Sequence, residues 1–267
     1  MQRQIKISER FADTMTAVPT LLASDLRRCA ILLDIDGTIL DIAPSPRQVS
    51  VPAELRQTLA RLQELTGGAL ALVSGRSIKD IDLIFSPLRL AAIGVHGAEM
   101  RAAGDAPIQT RTVPLSEPLK RRLSKVTELG DGILFEDKGY SLALHYRQVP
   151  AKEPEVLGAI SKIRASFPQE AVEVLPGKFV VELKPAAINK GEAVRELMHH
   201  RPFAGRHPIF IGDDTTDLAV FDIVPKFGGR AYSVGDITAN VDGRFETPGI
   251  VRSWLARIAA ESLGAAG

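Results

Sequence analysis

Along the chain, short unbroken apolar runs alternate with stretches whose apolar residues recur every three or four positions. Ala30-Ile31-Leu32-Leu33 carries no turn residue before it ends at Asp34, which is the pattern of a strand buried on both faces. Pro52 to Leu65 sets Leu55, Leu59, Leu62 and Leu65 on helical spacing, and Gly67-Gly68 ends that helix. Ala69 to Val73 is a second buried strand, a helix follows from Ser77 to Phe85, and Leu90 to Val95 is a third apolar run. Such a strand-helix-strand-helix-strand series predicts α/β architecture with a parallel, doubly wound sheet.

The pattern changes near Ala102, where Arg101 to Thr112 is rich in Gly, Ala, Asp and Pro. Beyond it Leu142 to Tyr146 and Phe179 to Lys184 alternate like half-buried strands, and Pro154 to Phe167 reads as an amphipathic helix. From Asn189 the earlier grammar returns with a helix to about His199, the strand Pro208-Ile209-Phe210-Ile211, and Gly212-Asp213-Asp214-Thr215-Thr216-Asp217 at its end. The expected organisation is therefore a leader at 1–28, a core from 29–104 and 186–267, and a small α+β module inserted at 105–185. Ala43-Pro44-Ser45-Pro46 is expected to form a stiff loop after the first strand.

Composition narrows the partners. The 267 residues include 33 basic and 32 acidic side chains, so no global field recruits nucleic acid or an anionic membrane. The single cysteine, Cys29, excludes an internal disulfide and a Cys-rich metal site. No apolar run approaches a membrane span, and Arg3, Lys6, Arg10 and Asp13 stand where a signal peptide would need an apolar core, so a cytoplasmic protein is expected.

Candidate chemistry gathers at strand ends, where open α/β sheets bind ligands. Asp34 and Asp36, two apart in an extended segment ahead of Gly37-Thr38, address one small volume and repel unless a cation or a shared proton relieves them. An Asx turn is the plainer reading of such a pair. Asp213, Asp214 and Asp217 repeat the theme, as hard-cation ligands or as helix caps. Ser74-Gly75-Arg76 offers a hydroxyl and backbone donors to a phosphoryl oxygen, or a plain ST-turn. Lys190 opens a helix against the local dipole, as a counter-charge or as a solvated lysine.

In this order, the four pieces are similar to those of the haloacid dehalogenase superfamily of aspartyl-phosphate phosphatases. That resemblance implies a Rossmann-like core with an inserted cap, Asp34 as nucleophile and Asp36 as general acid and base. It further implies that Ser74 and Lys190 hold the phosphoryl group, and that Mg²⁺ is bound by Asp34, Asp36, Asp213 and Asp214.

Val73-Ser74-Gly75-Arg76, Gly94-Val95-His96-Gly97-Ala98-Glu99, His145-Tyr146-Arg147 and Gly177-Lys178-Phe179-Val180-Val181-Glu182-Leu183-Lys184-Pro185 resemble the trehalose-6-phosphate phosphatase branch. The branch implies a sugar-phosphate substrate met by Gly75, Arg76, His96, Gly97, Arg147, Lys178, Glu182 and Lys184, the last three alternating along one strand face. It also implies a monomer whose functional partner is trehalose-6-phosphate synthase. Leu218 departs from the branch, which commonly has Glu there. Sucrose-phosphate and mannosylglycerate-phosphate phosphatases, a phosphomutase, and a non-catalytic sugar-phosphate sensor remain the alternatives. A cap with hinges near Ala102 to Thr112 and Pro185 to Asn189 is expected to move.

Overall fold

The computed structural model describes residues 23–43, 48–177, 179–236 and 239–261. The leader, apart from its last six residues, most of the Ala43 to Pro46 loop, and Lys178 lie outside the described residues. The chain opens with α1 (Ala23–Leu26), β1 (Cys29–Leu33), α2 (Ala53–Leu65), β2 (Leu70–Val73), α3 (Ile78–Phe85) and β3 (Ala91–Gly94). Next come β4 (Glu99–Arg101), β5 (Gln109–Thr110), α4 (Glu117–Ser124), β6 (Leu134–Asp137), β7 (Leu142–His145), α5 (Glu153–Ala165), β8 (Val172–Gly177) and β9 (Val180–Pro185). The chain closes with α6 (Lys190–Leu197), β10 (His207–Gly212), α7 (Leu218–Ile223), β11 (Arg230–Val234), β12 (Gly243–Phe245) and α8 (Pro248–Glu261). Two compact units result, one from residues 1–70 with 205–267 and the other from 71–204.

In the first unit β1, β10, β11 and β12 pair in parallel, with Cys29 opposite His207 and Leu33 opposite Ile211. All five residues of β1 are buried, which is why that segment reads as an unbroken apolar run. Ile31 donates to the Ala69 carbonyl at 2.9 Å, and Asp34 donates to Ile211 at the same distance, so Asp34 is seated beside the end of β10. Tyr232, Phe245 and Trp254 meet edge to face, with ring centroids 6.0 and 5.7 Å apart, and tie β11 and β12 to α8.

In the second unit β2 and β3 are parallel, and β4 and β5 add an antiparallel edge. The sequence shows no strand there, because β5 is two exposed residues without an apolar face. Arg101 of β4 is wholly buried; its guanidinium forks onto Asp82 at 2.7 and 2.6 Å and donates to the Leu90 carbonyl.

A separate antiparallel sheet, in the order β6-β7-β9-β8, forms the cap-like part of this unit. One face carries Leu142, Leu144, Val181, Leu183 and Val172, packed with Leu119, Leu123, Val156 and Ile160 from α4 and α5. Opposite residues share a face, so the register puts Glu136, His145, Glu182, Lys184 and Glu173 on the other side. Among the described residues no helix is long and apolar enough to cross a membrane.

Arg101→Ala removes one partner of a buried ion pair and leaves the Leu90 carbonyl short of donors. It is expected to lower stability by about 3 kcal/mol. Urea unfolding reads this as a lower midpoint at unchanged slope; an unmoved midpoint means the fork does not hold the edge.

Candidate active site

In the first unit the chain leaves β1 and curls around one carbonyl: Ile35 accepts from the N–H groups of Thr38, Ile39 and Leu40 at 3.3, 3.0 and 2.9 Å. The turn itself occupies residues 37–39 and follows the segment that carries Asp34 and Asp36. Gly37 turns at φ +84°, and a Cβ there would lie 1.9 Å from Asp213 Oδ2, so only glycine fits. Thr38 is buried with its hydroxyl 3.2 Å from Asp34 Oδ2 and 3.0 Å from Asp213 Oδ1. A single O–H donates to one of them at a time, and both carboxylates are thereby gathered round it.

Asp217 is fully buried, and its Oδ2 accepts from the backbone N–H groups of Asp213 and Asp214, both at 3.1 Å. One oxygen each from Asp34, Asp213 and Asp217 lies within 4.8 Å of the others. Three convergent carboxylates, two of them buried, form an all-oxygen donor set that suits a hard divalent cation. The family resemblance implied Asp34, Asp36, Asp213 and Asp214 as ligands; among the described residues the carboxylates that converge are those of Asp34, Asp213 and Asp217. Asp214 is exposed, and its carboxylate caps the following turn through the Thr215 N–H at 2.6 Å and the hydroxyls of Thr215 and Thr216. Asp36 is half-buried and bridges through its backbone to Leu40. An open cavity of about 370 Å³ adjoins Gly37 and Asp213 and is lined further by Asp41, Asp236 and Glu246.

In the second unit Ser74 sits buried just past β2, its Oγ accepting from the Arg76 N–H at 3.2 Å. The ST-turn thus exists, and it aims a hydroxyl out of a strand end. Val95 donates to the Arg76 carbonyl at 2.8 Å and His96 to that of Ser74 at 3.1 Å. Val95, His96 and Gly97 have φ of +46°, +53° and +107°, a left-handed run that costs energy at the two non-glycine residues. A Cβ on Gly75 would come within 2.5 Å of the His96 ring, and one on Gly97 within 2.6 Å of the Asn189 carbonyl. The glycines expected at the site are therefore there to let backbone and ring approach.

The strained turn delivers the buried His96 ring to the cap sheet, with Nε2 3.1 Å from Glu182 Oε2 but not aligned as a hydrogen bond. Glu182 also accepts from Ser141 Oγ at 2.5 Å and Lys138 Nζ at 3.1 Å. Burial pushes the Glu182 carboxyl up, but Lys138, His96 and Ser141 outweigh it and hold the group well below the usual carboxylate range. Next to it Glu136 meets His145 Nε2 at 2.8 Å, and that hydrogen bond lowers its carboxyl despite burial. Sequence reasoning missed Lys138, Ser141 and Glu136; the polar run Glu136-Asp137-Lys138 ahead of Gly139 was a signal for two of them, and Ser141 had none.

Lys190 is the first residue of α6 and is buried, with Asn189 capping the helix by accepting from the Glu192 N–H at 2.8 Å. Arg147 is exposed in the turn after β7. Lys184 is buried and directed to Glu173 and the Ile188 carbonyl, away from Glu182.

A family model described as Trehalose-phosphatase matches residues 32–242. The chain is 38% identical over 250 residues to the trehalose-6-phosphate phosphatase of Escherichia coli (strain K12), covering 92% of this chain and 91% of that protein. It is 42% identical over 215 residues to the probable trehalose-phosphate phosphatase of Sinorhizobium fredii, covering 80% of each. Among solved structures, a trehalose-6-phosphate phosphatase related protein superposes with a TM-score of 0.68 at 26% identity, over 88% of this chain and 98% of that one. The C-terminal domain of the C. albicans trehalose-6-phosphate phosphatase shares the fold, with a TM-score of 0.76 at 21% identity over 91% and 98%. Since the matched stretch runs without a break through Asp34, Ser74, Glu182, Lys190 and Asp213, the chain belongs to the trehalose-phosphatase family.

Proposed function

We propose that this protein is a Mg²⁺-dependent phosphatase that hydrolyses trehalose 6-phosphate to trehalose and phosphate by way of a phosphoryl group carried on Asp34. The observation that carries the chemistry is the gathering of Asp34, Asp213 and Asp217 around the Thr38 hydroxyl. The name of the sugar is supported by the family and by the polar face of the cap sheet. The proposal keeps trehalose-6-phosphate synthase as supplier of the substrate.

An Asp34 carboxylate oxygen attacks phosphorus in line with the sugar oxygen, and the phosphorus–sugar oxygen bond breaks. The departing oxygen takes its proton from Asp36, which is less buried than Asp34 and sits two residues on. Asp36 then takes a proton from water, whose oxygen attacks phosphorus, releasing phosphate and restoring Asp34. Asp34, Asp213 and Asp217 would hold the Mg²⁺, which would supply positive charge to offset that of the phosphoryl group. Ser74 donates its hydroxyl to a phosphoryl oxygen, and the Lys190 ammonium balances the charge that builds there.

Glu182 and Lys138 read sugar hydroxyls, with His96 beside them and Lys178, Arg76 and Arg147 completing the proposed set. A carboxylate held ionised among fixed donors rejects a sugar that cannot meet its hydrogen bonds, because an unmatched buried polar group is costly.

Asp34→Asn is expected to lower turnover by about 10³-fold or more while substrate affinity by calorimetry stays within a few fold. Full turnover in that variant removes Asp34 as nucleophile. Chelation is expected to abolish phosphate release and added Mg²⁺ to restore it. Asp217→Asn should raise the Mg²⁺ concentration needed by about 10-fold or more, and Asp214→Asn should have the smaller effect. The reverse order would place the cation on Asp214. A phosphate-release screen is expected to favour trehalose 6-phosphate strongly over sucrose 6-phosphate and mannosylglycerate phosphate; comparable rates remove the narrow assignment, and no release at all favours a sensor.

A further inference from the structure

Lys184 stands on the polar face of the cap sheet, yet its ammonium does not join Glu182. It is 3% exposed and donates to the Ile188 carbonyl and to the carboxylate of Glu173, its cross-strand partner on β8. A buried ammonium is costly unless it is paired, and here the pairing closes the chain on itself. Lys184 is the last residue but one of β9, Ile188 lies in the segment that follows it, and Lys190 begins α6.

The segment between is held from several sides. Ala186 donates to Ala171 at 2.8 Å, and the Ile188 side chain packs against Val95 and Ala98. The Asn189 carbonyl lies against Gly97, closely enough that a Cβ there would stand 2.6 Å away, and its side chain caps α6. Arg111 spans Gly97 and α6, donating to the Gly97 carbonyl at 2.6 Å and to Glu196 at 2.8 Å. Among the described residues these ties come from the Val95–Gly97 turn, from Arg111, from α6 or from backbone groups, and Tyr140 of the β6–β7 turn adds an apolar contact to the Val95, Ala98 and Ile188 cluster. Lys184 is the charged side chain of the cap sheet that grips the residue two before Lys190.

We propose that Lys184 is a positioning residue, which fixes the entry of α6 and with it the Lys190 ammonium, and that it does not read the sugar. The inference rests on the assignment of Lys190 to the phosphoryl group. A shift of the helix entry by about 1 Å misplaces a group whose contribution depends on distance and direction, and misplacements of that size cost up to about 10²-fold in rate.

The test compares Lys184→Met and Lys190→Met with the unaltered protein, using trehalose 6-phosphate and a small aryl phosphate that has no sugar. Rates are normalised to the folded fraction by circular dichroism, and inhibition by inorganic phosphate is measured alongside. Lys184→Met is expected to lower kcat/KM about 10- to 100-fold on both substrates, by the same factor within about 2-fold, and to weaken phosphate inhibition. A loss confined to trehalose 6-phosphate makes Lys184 a sugar contact and overturns the proposal, as do unchanged kinetics or unchanged phosphate inhibition. Lys190→Met is expected to abolish turnover of both substrates; if it turns over normally, the assignment beneath the proposal fails, separately from Lys184. Should Lys184→Met not fold, Glu173→Gln loosens the same ammonium. A smaller loss, equal on both substrates and with weaker phosphate inhibition, supports the proposal; no loss, or one limited to the sugar substrate, overturns it.

Discussion

Like charges held together at the ends of two parallel strands are the constraint on which this protein is organised. Two carboxylates about 4 Å apart repel by roughly 4 kcal/mol at an effective dielectric constant of 20, and Asp34, Asp213 and Asp217 form such a group. Nothing in a single strand keeps them there. The register of β1 on β10 does, by setting Leu33 beside Ile211 so that both strands end together. Gly37 then lets the backbone pass Asp213, and the Thr38 hydroxyl and the N–H groups of Asp213 and Asp214 supply donors to the oxygens. The remaining repulsion is the reason the group suits a divalent cation.

The second unit solves a different problem, that of bringing a ring and a helix start to one place. The two left-handed residues Val95 and His96 are tolerated because the turn is hydrogen-bonded to both Ser74 and Arg76. Gly75 and Gly97 clear the space on either side, for the imidazole and for the Asn189 carbonyl. The strain at Val95 and His96 sits where His96 reaches Glu182 and next to the contact of Gly97 with the Asn189 carbonyl. The cap sheet divides its labour by face, one side closing a core with α4 and α5, the other bearing Glu136, His145, Glu182 and Lys184. On that polar face the charges are paired by geometry that alternation alone does not reveal.

Much was legible in the sequence because periodicity and burial coincide. The apolar runs at Ala30–Leu33, Ala69–Val73 and Pro208–Ile211 are strands because both faces are covered, and the Leu55, Leu59 and Leu62 stripe is the buried side of α2. The antiparallel edge β4–β5 escaped notice since its stability comes from Arg101 buried on Asp82 and Leu90, a contact between distant positions. Strands β11 and β12 and helix α8 drew no reading either; their aromatic chain of Tyr232, Phe245 and Trp254 becomes a cluster only on folding.

The sequence by itself determined which residue types stand at strand ends and helix starts: carboxylates at 34, 36, 213, 214 and 217, a serine at 74, a lysine at 190. Only the tertiary structure decided how they divide. Asp214 turned to cap Thr215 while Asp217 turned inward to Asp213, a choice made by a capping box whose two halves look alike in sequence. Lys184 and Glu182, alike in spacing and face, parted because Glu173 and the Ile188 carbonyl lie beside the one and Lys138 and Ser141 beside the other. Local pattern determines which side of an element a group occupies, but the partner that satisfies its charge comes from elsewhere in the chain, and only folding brings it there.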